Sequence, residues 1–498
     1  MGAVTIAEAL AIEVSALANG WTEEQLLNAA GEKLGHAVAR FFPTPGTIIG
    51  YLGKGHNAGD ALVALRILRD QYGWEVATRN AYPIGSYAPL TLLKWDELGL
   101  VVPLDRRPAW RDIKRPLVLL DGLLGSGSSG SLREPLVSLA SEIENLRQQS
   151  GARVAAVDFP SGIDPDCGQV FPDTVSADVT FMIGNAKSGL LNGHAAHATG
   201  ALALVAVEPL TARNPSDLDL ISPQTLDVGK SPRPFDFHKG MAGRVAIVAG
   251  SENYTGAAVL AACGALRGGA GLVTLFVPEA IHHLVSGKCP PEVIVRSYEN
   301  PSQVLDSRFD SLVVGCGLGE MDSDLSHGLL VLLSNSPAPV VIDADALNFF
   351  ARSGHLNVLT SQHVITPHPG EFARLAPDLA DLPREDAARQ FADRTPATLL
   401  LKGCRTIVTR QGQPLRCNAT GTPGMASGGQ GDVLAGVIGA RLAIGDSPMD
   451  AASMAAWLCG RSAEIALTER HLSEESLLAT DVLHFLGAAF RDWKTSSR

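Results

Sequence analysis

Short apolar runs alternate with helical stretches along almost the whole chain, and most runs end in a loop pairing glycine with an acid, amide or hydroxyl. In the first half the runs are 47–52, 75–77, 116–120, 153–157 and 179–183. In the second they are 244–249, 272–277, 311–315, 340–343, 363–366, 397–402 and 406–409. Read as buried strands separated by helices, they demand largely parallel α/β sheets. Such sheets bind ligands beyond the carboxyl ends of their strands, so chemistry is expected in the strand-end loops. A chain of 498 residues exceeds one ordinary core, so two domains are expected. The boundaries are 1–215 and 235–498, with a linker at 216–234 inside the proline-rich stretch 208–239. Residues 1–42 read as helical, with Thr22 as a cap ahead of Glu23, Glu24 and Gln25.

Composition closes off several functions. The net charge is −12 with no long basic run, which argues against a nucleic-acid surface. No apolar run spans a bilayer, and the first residues lack a secretory pattern. The cysteines are scattered without a CxxC, as expected in a reducing cytoplasm.

Three first-half loops stand out: Gly53-Lys54-Gly55-His56-Asn57-Ala58-Gly59-Asp60, Asp121 to Gly127, and Asp158-Phe159-Pro160-Ser161. Converging, they would make a pocket rich in oxygens and amides, although turns favour these residues anyway. In the second half the corresponding loops carry Gly317, Asp343-Ala344-Asp345, Pro367-His368-Pro369-Gly370-Glu371 and Lys402-Gly403. Asp343 and Asp345 read equally well as a phosphate–metal element or a strand-end turn. The last element is a glycine loop, Gly428-Gly429-Gln430-Gly431, opening into a helix marked by Val433, Leu434, Val437, Ile438 and Leu442. Free N–H groups and the helix dipole make it an anion site. Asp432 sits where a base would take a hydroxyl proton during phosphoryl transfer, and the dipole is expected to keep it ionised. The bland alternative is a helix cap. His194 and His197 lack a third ligand nearby and read as a solvated segment.

On these residues, together with His238-Lys239-Gly240, Tyr254 to Ala258 and Asn418 to Gly436, the second half resembles the ribokinase-like family that dehydrates hydrated NAD(P)H. The first half resembles the epimerase family of the same hydrates, through Ala30-Gly31, 53–60, 121–130, 158–166 and Lys187-Ser188-Gly189. The resemblance implies a Rossmann-like α/β/α first domain and a ribokinase-like α/β/α second domain. It implies that the R and S hydrates are interconverted by the first and that the S hydrate is dehydrated by the second. ADP, or ATP in some relatives, would be the co-substrate, with Mg²⁺ neutralising phosphate charge. Asp432 would be the dehydratase base. Ala257, Gly317, Pro367, His368, Pro369, Gly370 and Glu371 would line the hydrate pocket. Lys402, Gly403, Cys404, Arg405 and Thr406 would hold the nucleotide with Gly428, Gly429, Gln430 and Gly431. In the epimerase, His56, Asn57, Ala58, Gly59, Asp60, Gly125, Ser126, Gly127, Ser128, Ser129, Gly130 and Ser131 would contact the hydrate, with Asp158 as acid or base. Asn57, Asp121 and Ser161 would coordinate K⁺. The resemblance further implies a cytoplasmic homo-oligomer whose partners are small molecules.

The sequence departs from the family pattern at four points. His56 and Ala58 stand where Asn and Gly are usual. Gln430 replaces a small hydroxyl residue and Cys316 a common Pro; neither is expected to touch the acid. A kinase of the same fold acting on a vitamin-type alcohol, with a degenerate first half serving as a binding module, is the alternative. It would release a phosphate ester in place of NAD(P)H.

Overall fold

The structure, a computed structural model, describes residues 2–99, 113–127, 130–211 and 216–495. It divides into two compact units, Met1–Ser216 and Asp217–Arg498. The first holds strands β1 (Thr47–Leu52), β2 (Glu75–Asn80), β3 (Leu117–Gly122), β4 (Arg153–Val157), β5 (Val179–Ile183) and β6 (Ala201–Val205). They form one sheet in the order β2-β1-β3-β4-β5-β6, parallel throughout. Its central strands β1 and β3 are buried at every position, as strands covered on both faces must be. Helices cover one face through Leu34, Val38, Leu62 and Leu65 and the other through Leu139, Ile143 and Leu146. The chain leaves β1 towards β2 and returns to β3 on the other side, so a crevice opens between the ends of β1 and β3. The helix Glu23–Phe41 begins as expected, with a reciprocal capping box between Thr22 and Gln25.

The second unit contains β7 (Leu218–Ile221), β8 (Arg244–Val248), β9 (Leu272–Pro278), β10 (Val293–Tyr298), β11 (Ser311–Val314), β12 (Val340–Ile342), β13 (His363–Ile365), β14 (Thr398–Leu401), β15 (Ile407–Thr409) and β16 (Leu415–Asn418). They make one ten-stranded sheet, β10-β9-β8-β11-β12-β13-β14-β15-β16-β7. Only the β14–β15 and β15–β16 pairings are antiparallel. The order reverses at β8 and β11, placing a second crevice at the ends of β8 and β11 to β14. The helices Thr255–Arg267, Gln430–Ile444 and Pro448–Glu469 pack one apolar cluster on a single face.

The linker expectation needs correction. Within 216–234, Leu218–Ile221 is strand β7, paired with β16 as a sheet edge. Its Leu-Asp-Leu-Ile is partly covered at its start and buried at Leu220 and Ile221, and the prolines that suggested a connection lie outside it.

Candidate functional site

The second unit's crevice is built around the start of helix Gln430–Ile444. Gly429 caps it with φ 91, and a Cβ there would sit 2.5 Å from Leu260 Cδ1. The positive φ therefore favours glycine, and a Cβ would also make the Leu260 side chain shift. The N–H groups of Gln430, Gly431 and Asp432 find no acceptor among the described residues, as first-turn donors do not. From Val433 to Leu442 nearly every residue is buried, which makes Asp432 the exception on an apolar helix. Its first-turn position points it back to the ends of β11, β12 and β14.

Asp343 follows β12 and is buried. It accepts Thr366 Oγ1 and Lys402 Nζ, both at 2.7 Å on Oδ1. Lys402 follows β14 and also lies 3.7 Å from Glu371 Oε2. Burial works to lower its ammonium pKa, but Asp343 and Glu371 outweigh that and hold it above the ordinary value. A Cβ on Gly431 would lie 3.4 Å from Lys402 Nζ and 3.6 Å from Asp343 Oδ2, so the amide loop and the lysine–aspartate pair face each other. Oxygen or sulfur atoms of Cys316, Asp343 and Asp432 lie within 4.8 Å of one another.

Two expectations fail here. The helix dipole does not keep Asp432 at an ordinary carboxylate pKa. Burial first, then the charge of Asp343, push it up to about 7, because desolvation and a like charge outweigh a partial dipole charge. Cys316 does reach the acid, as the clustered ligand atoms show. Its thiol is fully buried and pushed well above the usual range, by burial first and then by Asp432.

The other expected dehydratase residues gather around this pair. Pro367 O accepts the Lys402 N–H at 2.9 Å. His368 caps helix Pro369–Leu375: its Nδ1 accepts the N–H groups of Gly370 at 3.0 Å and Glu371 at 3.4 Å, while Glu371 Oε2 accepts the His368 N–H at 2.8 Å. Gly317, at φ 64, approaches so closely that a Cβ would meet that of Ala257 at 2.8 Å. The loop Lys402 to Thr406 is held by Arg384, which donates to the carbonyls of Leu401, Lys402 and Cys404 at 3.2, 3.1 and 2.5 Å. Cys404 is exposed. Thr406 Oγ1 donates to Gly403 O at 2.9 Å. The Arg405 side chain is buried, with its Nη1 donating to Ala419 O at 3.5 Å. Gln430 turns its amide to Ser427 Oγ at 3.2 Å. Thr366 and Cys316 adjoin the expected loops at Pro367 and Gly317 but were given no site role, and Arg384, far from any loop motif in the chain, carries no local signal.

In the first unit the ends of β1, β3 and β4 converge. Asp121, fully buried, accepts the Ser161 N–H and Oγ–H, both at 2.8 Å, and the Leu123 N–H at 3.2 Å. Burial raises its pKa, and these bonds oppose the rise. Leu124 links the other two expected ligands: its N–H donates to Ser161 Oγ at 3.0 Å and its carbonyl accepts Asn57 Nδ2 at 2.7 Å. A Cβ on Gly125 would meet Asn57 Cβ at 2.9 Å. Ser126 and Gly127 continue this loop, and Gly130 turns it at φ 88 before Ser131; Ser128 and Ser129 lie outside the described residues. Helix His56–Tyr72 begins in the first loop, so Asn57, Ala58 and Gly59 lie in its first turn. His56 is exposed; Ala58 is buried and has no positive φ, so its Cβ brings no backbone strain. Asp60 is only partly covered by surface area yet densely surrounded. Burial first, then the charge of Asp158, push its carboxyl well above the ordinary range. Asp158 itself has φ 65 and bonds Lys187, a residue given no role in the sequence reading. His194 and His197 are linked by a ring-to-carbonyl bond of 2.9 Å and join no metal-ligand cluster among the described residues.

Two α/β units, each gathering buried carboxylates beyond the carboxyl ends of parallel strands, define an enzyme with two separate active sites. Residues 245–485 match the family model described as NAD(P)H-hydrate dehydratase, and residues 23–189 match that of the YjeF-related protein N-terminus. The bifunctional NAD(P)H-hydrate repair enzyme of Gloeobacter violaceus is 34% identical across 97% of this chain and 98% of its own. That of Methanopyrus kandleri is 34% identical across 98% and 97%. An ADP/ATP-dependent NAD(P)H-hydrate dehydratase from Bacillus subtilis, crystallised with ATP and Mg²⁺, is 27% identical, covering 53% of this chain and 94% of its own at a TM-score of 0.45. The chain belongs to the family of bifunctional NAD(P)H-hydrate repair enzymes.

Proposed function

We propose that the second unit dehydrates the S hydrate of NADH or NADPH through a phosphorylated intermediate, and that the first unit interconverts the R and S hydrates to feed it. Family membership supports the pair of activities. The observation that carries the chemistry is a carboxyl titrating near neutrality, Asp432, in the same helix turn as three unpartnered amides. A base poised near working pH is what proton abstraction from a ring hydroxyl needs. In the proposed step that hydroxyl gives its proton to Asp432, and its oxygen attacks the terminal phosphorus of ADP or ATP, displacing AMP or ADP. The amides of 428–431 stabilise charge on the transferring group. The ring C–O bond then breaks, and inorganic phosphate leaves with its electron pair. The neighbouring ring carbon gives up a proton and the ring double bond returns.

Lys402, Gly403, Cys404, Arg405 and Thr406 hold the nucleotide. Ala257, Gly317 and residues 367–371 hold the hydrate. Asp343 and Asp432 would be the residues to hold Mg²⁺ with the nucleotide. A cation there would offset the charge of Asp343, which after burial raises Asp432, while the Cys316 sulfur is a poor partner for so hard an ion. Bound there, it would neutralise phosphate charge. In the first unit, Asn57, Asp121 and Ser161 supply only oxygen atoms to a cation. Asp121 meets only neutral donors among the described residues, so K⁺ fits an otherwise uncompensated buried acid. Its charge would help hold the hydrate. His56 to Asp60, Gly125 to Ser131 and Asp158 contact that hydrate, with Asp158 as acid or base.

Asp432→Asn tests the reading directly. Conversion of purified S hydrate is followed by the return of NAD(P)H absorbance, with nucleotide binding measured by calorimetry. Turnover is expected to disappear while nucleotide still binds; near-normal turnover contradicts the assignment. Accumulation of a stable phosphate ester would favour the kinase alternative.

A further inference from the structure

The ion pair between Lys187 and Asp158 is the least expected feature of the first unit. Lys187 is 3% exposed, and taking an ammonium and a carboxylate out of water together rarely stabilises a fold. Its Nζ donates to Asp158 Oδ1 and, at 2.8 Å, to the Ile183 carbonyl. The Ile183 N–H donates to the same Asp158 Oδ1 at 2.9 Å. One oxygen of Asp158 thus takes two donors, while Oδ2 accepts none among the described residues.

The backbone on both sides is fixed to keep this arrangement. Asp158 is held at φ 65, in the left-handed region, a conformation that costs a non-glycine residue of order 1–3 kcal/mol and persists where surroundings impose it. Its N–H donates to Phe181 O at 2.9 Å. Lys187 is clamped by the chain's first residues: Val4 N–H donates to Ala186 O at 2.8 Å, and Ser188 N–H to Val4 O at 3.0 Å.

Resting on the reading that the first unit is an epimerase, we propose that Lys187 is a positioning residue: together with the Ile183 N–H it pins Asp158 Oδ1 so that Oδ2 is the atom presented to the hydrate. Lys187 touches no substrate in this account; it acts through Asp158. Removing it frees the carboxylate to rotate and leaves a partly buried charge with a single donor.

The full chain supplies its own control. Without nucleotide, chiral chromatography follows R-to-S interconversion alone. With nucleotide, dehydration of pure S hydrate reports the other unit. Lys187→Met is expected to lower the epimerisation kcat about 10²-fold, with KM within about threefold and S-hydrate dehydration unchanged. Lys187→Arg is expected to lose about tenfold, since the guanidinium keeps charge but not donor geometry. The Lys187→Met/Asp158→Asn pair is expected to be no slower than Asp158→Asn alone, because one residue works through the other. Wild-type kcat in Lys187→Met, or losses that multiply in the double variant, would overturn the proposal. If Lys187→Met melts below the assay temperature, Lys187→Arg decides: wild-type kcat there overturns it, and a selective kcat loss supports it. Absence of epimerisation in the wild-type chain would instead remove the epimerase reading itself.

Discussion

The two sites use the same scaffold rule and opposite treatments of their key acid. Both lie where strand order reverses, beyond the carboxyl ends of parallel strands. Asp158 is tethered: a strained backbone and two donors on one oxygen fix its position. Asp432 is electrostatically poised: it sits on a regular helix, with burial and Asp343 raising its pKa to about 7. A tethered carboxylate offers orientation, and a poised one offers basicity at neutral pH. The difference suits the work proposed for each, a stereochemical interconversion against deprotonation of an alcohol.

The largest effect expected is from Asp432→Asn, which removes the proposed base. The dehydration kcat should fall about 10²–10⁴-fold, read from NAD(P)H absorbance, with epimerisation unaffected. A comparable loss of epimerisation would mean that the two sites are not separate.

Next is the cation under Asp343. Lys402→Met leaves a buried carboxylate without its charged partner, a change that costs about 3–5 kcal/mol when a buried pair is broken. Denaturant unfolding of the second unit measures it. Because Lys402 lowers the Asp432 pKa, the variant's residual activity should also need higher pH.

The pH dependence sharpens the comparison. Asp432 must be ionised to accept a proton, so the dehydration kcat should fall as pH drops below about 7. Asp343→Asn removes a like charge and should move this limb to lower pH. The stability sign is the reverse of that for a salt-bridged acid. The folded state holds the Asp432 proton more tightly than the unfolded state, so its contribution is fully present below the ordinary carboxylate pKa. It is lost as pH rises through about 7. Unfolding midpoints of wild type and Asp432→Asn across that range should therefore converge at low pH, with wild type falling further at high pH.

The smallest effect concerns Ala58. It lies in an ordinary helical turn, so Ala58→Gly should cost about 0.5–1 kcal/mol of stability. A lowered KM for the hydrate would show that the methyl group crowds the substrate.

Much of this was legible in the sequence. Buried central strands are short, continuous apolar runs, and most were placed to within a residue or two. The strands missed are β6, β7, β10 and β16. Of these, β6, β7 and β10 lie at sheet edges, where mixed exposure hides the pattern: Val293–Tyr298 is buried only at its two ends. The strand-end loops and Asp432 were legible because glycine, acid and helix are adjacent in the chain. The Lys187–Asp158 pair was not, since its partners are separated by a strand and carry no joint motif. Nor was the raised pKa of Asp432, which comes from Asp343 and burial and so exists only once the sheet has assembled.

The central claim is that two independent sites act in series on one substrate. Its most direct measurement is the progress curve of an equal mixture of R and S hydrates with nucleotide, at short times against spontaneous epimerisation. Wild type should regenerate NAD(P)H from both epimers. Asp158→Asn should convert the S half at the wild-type rate and then stall, and Asp432→Asn should convert neither while still equilibrating the two. Full conversion of both epimers by Asp158→Asn at the wild-type rate, or any rapid NAD(P)H return from Asp432→Asn, would contradict the account.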